Sequence, residues 1–110
     1  MKINVEMLAF SEGEMRPVEI PDGELNGEIE RTLDLVFQYG QNDFQNLPFP
    51  SVSAGDVVHC NNEAYMVAGV GFKKMTENQL NQYRSLSRYD RFIGRCQFEI
   101  GKEIVGRQDK

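Results

Sequence analysis

Val57-Val58-His59-Cys60 and Ala64-Tyr65-Met66-Val67-Ala68 are two short apolar runs separated by Asn61-Asn62-Glu63. That spacing leaves the chain little choice. Two asparagines tolerate the left-handed backbone region and mark a reversal, so the flanking runs read as the arms of a β-hairpin. Gly55-Asp56 supplies the turn that leads into it.

Upstream, Ile3, Val5, Met7 and Ala9 alternate with Asn4, Glu6 and Leu8, the period-two pattern of a strand with one face toward a core. The polar Ser11-Glu12-Gly13-Glu14 follows, and Val18 and Ile20 flank Glu19 before Pro21, which predicts a first hairpin. Ser11-x-x-Glu14 has the form of a helix-capping box, but no amphipathic run comes after it. From Asn26 the period changes. Ile29, Leu33, Val36 and Phe37 recur at helical spacing, with Asn26 placed to cap the start and Gly40 to end the helix in a left-handed conformation.

Gln41 to Pro50 reads as a loop that the prolines at 48 and 50 stiffen, with Phe44, Leu47 and Phe49 as apolar anchors that hold it rigid. Past the central hairpin, Gly69-Val70-Gly71 lacks the third glycine and the βαβ context of a dinucleotide loop and is read as a bulge or a close backbone approach. Thr76-x-x-Gln79 opens a helix carrying Leu80 and Tyr83. Leu86, Tyr89 and Ile93 point about 110° away from that pair on a helical projection, which predicts a break near residues 85–87 and a second short helix capped through Ser87-x-x-Asp90 and ending near Gly94. Cys96 to Ile100 alternates and is expected to form a last strand.

The fold class that follows is α+β: a small antiparallel β-sheet or partial barrel from residues near 3–10, 16–20, 56–61 and 64–71, one amphipathic helix over 28–39 packed on it, and one or two short C-terminal helices. Residues 1–105 are expected to form one domain and 106–110 a flexible tail. With 110 residues, 40% of them hydrophobic and eleven aromatic, the chain can bury about two-thirds of its unfolded surface.

Two segments, Tyr39-Gly40-Gln41-Asn42-Asp43-Phe44-Gln45 and Pro50-Ser51-Val52-Ser53-Ala54-Gly55-Asp56-Val57-Val58, resemble a family of small uncharacterised proteins of bacterial phages, plasmids and other mobile elements. The resemblance covers the middle third of the chain and implies a bacterial cytoplasmic setting and an accessory role, without an activity or a catalytic residue to carry over.

The N-terminal segment is broken by Asn4 and Glu6 and does not make a signal-peptide core, and no apolar window approaches the roughly 20 residues needed to span a bilayer. A cytoplasmic protein with no membrane partner is expected. Cys60 and Cys96 lack C-x-x-C spacing and read as buried thiols, not a disulfide. His59 is the only histidine, and in a strand it points away from neighbouring Cys60, so no nucleophile pair, metal site or cofactor is expected. A carboxylate pair of Asp43 with Asp56 or Glu63 keeps a small enzyme open as an alternative, should the loop fold over the hairpin.

Charge is distributed unevenly. Residues 1–63 carry twelve acidic and three basic side chains, net −9, and residues 64–110 carry five and nine, net +4. The segregation suits a protein partner or a homodimer. Arg84, Arg88, Arg91 and Arg95, spaced by four, three and four, project within about 60° of one another on a helix and form an expected basic face. Asn42, Asp43 and Gln45 are the expected contacts of the loop. The function expected is therefore a non-catalytic interaction protein, with nucleic-acid binding by the basic second half as the alternative.

Overall fold

The computed structural model describes residues 1–41 and 50–107. Five strands, β1 (Lys2–Met7), β2 (Glu14–Glu19), β3 (Val57–Cys60), β4 (Glu63–Val67) and β5 (Phe72–Met75), form one antiparallel sheet in the order β2-β1-β3-β4-β5. Three helices accompany it: α1 (Ile29–Tyr39), α2 (Glu77–Ser85) and α3 (Arg91–Glu99). The α+β class expected from the alternation is the class found, as an open sheet with β2 and β5 at its edges.

Side-chain alternation divides the core in two. Ile3, Val5, Met7, Val18, Val58, Cys60 and Val67 face one way and pack with Leu33, Leu35 and Val36 of α1. Val57, Ala64, Met66 and Met75 face the other way, onto Leu80 and Tyr83 of α2 and Phe98 of α3. Both faces are therefore covered, α1 on one and the C-terminal helices on the other.

The central hairpin closes as its asparagines require. Asn61 and Asn62 both adopt left-handed backbone, φ 54° and 62°, the pairing that matches the twist of the flanking strands. Register runs Val57↔Met66 through Cys60↔Glu63. The glycine pair beyond β4 sits in a second reversal, where Ala68 N–H donates to the Gly71 carbonyl and the chain returns as β5. That reversal stands where a bulge was expected at Gly69-Val70-Gly71, and it ends at Val67 the strand expected to run over 64–71.

Two local expectations are corrected. Residues 96–99 are the end of α3, not a strand: Arg91, Gly94 and Phe98 are its buried residues, a helical spacing of three and four that outweighs the brief alternation at Phe98 and Ile100. Gly40 ends α1 with φ −78°, not in the left-handed region. A glycine is needed there for space, since a Cβ would lie 2.4 Å from Val52 Cγ2 and 2.8 Å from the Val36 carbonyl. Asn26 accepts from Glu28 N–H at 3.0 Å, one step outside the helix. Thr76 and Gln79 do form the reciprocal capping box of α2, and α2 stops at Ser85 as the change of phase predicted.

Candidate recognition site

Asp56 organises the turn between the loop region and β3. It is almost fully buried, and its carboxylate accepts from Leu8 N–H at 3.0 Å, Ala9 N–H at 2.9 Å and Ser53 N–H at 2.8 Å. Burial raises its pKa, with those three amides acting in the opposite direction. Both oxygens of Asp56 are engaged by backbone amides, Oδ1 by two and Oδ2 by one. It is a structural strut that ties the end of β1 to residues 53–56.

A second carboxylate, Glu6, is 5% exposed on the face of β1 toward α2. Arg84 grips it bidentately, Nε to Oε2 at 2.7 Å and Nη2 to Oε1 at 2.6 Å, and His59 Nε2 lies 2.9 Å from Oε1. Desolvation alone would raise this carboxyl, but the hydrogen bonds from His59 and Arg84 and the guanidinium charge overcome it and hold the pKa down at about 2. A carboxylate beside a histidine is also the orienting half of a hydrolase triad, and the neighbouring thiol does not complete one. Cys60 belongs to the opposite core face, and burial pushes its thiol up, away from the thiolate that chemistry needs. Among the described residues no three His, Cys, Asp or Glu side chains cluster as metal ligands. The broad depression of about 790 Å³ beside His59, Asn62, Lys74 and Glu77 is lined by exposed pairs such as Lys74–Glu63 at 3.3 Å.

The four arginines do not share one face. Arg84 belongs to α2 and is committed to Glu6. Between Leu86 and Asp90 the chain leaves the helix, so α3 starts with a new phase and turns Arg91 inward, 6% exposed, beside Gly94 and Phe98. Its Nη1 donates to the carbonyls of Leu8 at 3.1 Å and Ser11 at 2.8 Å, closing α3 onto the first hairpin. Arg88, Arg91 and Arg95 nevertheless meet: with Phe10 and Phe92 they line one recess of about 210 Å³. Its floor is Ala9, Ala54, Gly55 and Tyr83, whose hydroxyl donates to the Gly55 carbonyl at 2.8 Å. Phe10 and Phe92 are 68% and 66% exposed, and Tyr89, beside Arg88, is more exposed still.

Asn42, Asp43 and Gln45, the loop residues expected to meet a partner, lie outside the described residues, as do the anchors Phe44, Leu47 and Phe49. What is described is how their neighbours are fixed. Gln41 Nε2 donates to the carbonyls of Phe37 and Val52, and Val52 N–H donates to the Gly40 carbonyl, so residues 40–41 and 52 are held side by side. The Asp43 carboxylate pair cannot be placed for the same reason. No helix among the described residues is long and apolar enough to cross a membrane.

Comparison with protein-family models, curated proteins and solved structures finds no match for this chain. The site is therefore read from its own chemistry. Sequence periodicity found its arginines but not its aromatic rim: Phe10 stands where the β1 alternation ends, and nothing in the spacing signals that it and Phe92, 82 positions apart, come together.

Proposed function

We propose that this protein is a non-catalytic recognition module that docks a protein partner on the recess formed by the first hairpin and α3. One observation carries the reading. Two phenyl rings about two-thirds exposed stand at the rim of a small arginine-lined recess, and large aromatics with arginine at a water-accessible recess are the composition of interface anchors, not of a solvated surface. Glu6 and Asp56 support a non-enzymatic role, since both buried carboxylates are consumed by internal hydrogen bonds. The nucleic-acid reading loses support with the continuous basic face, because Arg84 is neutralised by Glu6 and stands apart from the other three arginines. The setting, an accessory protein of a bacterial mobile element, rests on the resemblance of residues 39–45 and 50–58 alone.

The test is capture from bacterial lysate, divided into nuclease-treated and untreated halves, with a Phe10→Ser/Phe92→Ser variant alongside. A protein retained by the parent in both halves and lost by the folded variant supports the reading. Retention that nuclease abolishes points to nucleic acid instead. Equal capture by parent and variant removes the recess from consideration.

A further inference from the structure

We infer that the recess between the first hairpin and α3 binds a single carboxylate, the side chain of an Asp or Glu flanked by an apolar residue on a segment of the partner protein. The inference rests on the recognition reading above and adds the chemistry of what is recognised.

Size comes first. About 210 Å³ is below the roughly 300–1,000 Å³ of small-molecule sites, and suits one short side chain presented from outside. Charge comes next. Among the described residues Arg88 and Arg91 have no carboxylate within ion-pair distance, and Arg95 has only Glu99, 3.9 Å from its Nε. That glutamate already accepts from Gly69 N–H at 2.6 Å through its other oxygen. The Nε–H groups of Arg91 and Arg95 have no acceptor but are shut off from solvent, so an incoming oxygen meets the outer ends of the guanidiniums and not these nitrogens. Three guanidiniums line the recess, against Glu99 at 3.9 Å from Arg95 Nε and Asp56 behind the floor, so among the described residues positive charge is in excess there. An incoming oxyanion supplies the missing charge.

The other groups around the recess narrow the choice. Gly55 N–H is committed to the Val67 carbonyl, Ala9 N–H to Asp56, and the Tyr83 hydroxyl to Gly55. Among the side-chain donors that line the recess the guanidiniums remain, which favours an anion over a neutral amide. Asp56 lies behind the floor with its own negative charge, and its repulsion is smaller for a monoanionic carboxylate than for a phosphate dianion. The Arg95 guanidinium is stacked on the Phe92 ring at 5.1 Å, holding cation and apolar wall together, and Phe10 offers a second wall to the residue beside the acid. Acid next to apolar residue is the pattern that fills both.

The probes are two blocked peptides, acetyl-Leu-Glu-Phe-amide and its Gln analogue, with inorganic phosphate as a third, titrated into the isotope-labelled full chain and followed by amide and arginine Nε–H NMR signals. The acidic peptide is expected to move Ala9, Gly55 and the Arg91 and Arg95 Nε–H signals saturably, and the Gln analogue to bind about tenfold more weakly, the size of one lost charge-assisted hydrogen bond. Arg88→Gln and Arg95→Gln, which leave the carbonyl contacts of Arg91 intact, should each weaken the acidic peptide by a similar factor in a folded protein. Equal binding of the two peptides overturns the inference, as do shifts confined to another surface. Phosphate moving the same Nε–H signals at lower concentration than the peptide also overturns it. So does a concentration-dependent dimer that Arg88→Gln dissociates and the acidic peptide does not compete. If the lysate partner is still lost on Phe10→Ser/Phe92→Ser while the Glu and Gln peptides bind alike, the recognition reading stands and the carboxylate assignment falls.

Discussion

Removing the guanidinium from the Glu6 cluster, as Arg84→Met, tests whether that cluster holds the C-terminal helices on the sheet. The variant keeps the aliphatic stem and deletes two short hydrogen bonds, at 2.6 and 2.7 Å, from a carboxylate that is 5% exposed. Breaking a fully buried ion pair costs about 3–5 kcal/mol. The Arg84 side chain is 39% exposed and His59 remains beside Glu6, so solvent screening and the surviving contact reduce the expected loss to about 2 kcal/mol, or about 8 °C in Tm. The pH dependence is the sharper signature. In the parent the Glu6 carboxyl falls from its ordinary 4.5 to about 2. A depressed carboxylate stabilises the fold fully above its unfolded pKa, and that contribution disappears as pH falls through the folded one. Parent stability should therefore decline from about pH 4.5 toward pH 2 by up to about 3 kcal/mol on account of Glu6. The variant, in which His59 still hydrogen-bonds Glu6, should keep only part of that limb, so the gap between the two proteins narrows on acidification. Urea unfolding at pH 6, 4.5, 3.5 and 2.5 reads it directly. A gap under about 0.5 kcal/mol at pH 6, or one of constant size down to pH 2.5, refutes the account.

Gly40→Ala should cost about 2 kcal/mol or more by chemical denaturation, because its Cβ would meet the branched Val52 side chain and the Val36 carbonyl, neither of which can withdraw freely. Asn62→Gly should be neutral or slightly stabilising and Asn62→Val should cost about 1–2 kcal/mol, since φ is 62° there; equal melting temperatures for the two would contradict the turn geometry. Asp56→Asn places an amide donor against backbone donors at Leu8, Ala9 or Ser53 and should lose about 1–3 kcal/mol at neutral pH in calorimetry. Thr76→Ala should lower stability by about 1 kcal/mol, measured with Gln79→Ala to show that the two halves of the capping box are coupled.

How far the sequence foretold these features depended on whether the signal was local. The asparagine reversal, the Thr76 box, the stripe of α1 and the break after Ser85 are written within a few residues, and each was legible. The last helix was misread because Phe98 and Ile100 alternate over a span too short to separate a strand from a helical face, and the deciding residues, Arg91 and Gly94, lie a turn earlier. Gly40 was placed correctly for the wrong reason: a glycine after a helix suggests a left-handed cap, whereas the crowding by Val52 comes from a residue twelve positions on. Arg16 shows the same limit more strongly. It alternates with Val18 toward the core, is fully buried and donates through Nη1 to the Pro50 carbonyl at 2.5 Å, a partner that no local pattern announces. The recess fared likewise. Its arginines were singled out by spacing, but the reason Arg91 faces inward is a pair of carbonyls in the first hairpin.

The order of the sheet has a consequence for how the chain reaches its final form. β1 with β2, and β3 with β4 and β5, are ladders between sequence neighbours, and each can form early by closing short loops. The ladder that unites them, Asn4↔His59, Val5↔Val58 and Glu6↔Val57, runs through the middle of the sheet and joins positions more than fifty residues apart. Until that seam zips, the two groups of strands are separate bodies carrying opposite net charge, and contacts such as Glu6–Arg84, Asp56 with Leu8 and Ala9, and Arg91 with Leu8 and Ser11 wait on their meeting. Attraction between the halves favours their encounter, while the three-pair seam decides their register, so association is guided by charge and fidelity is left to a short stretch of backbone.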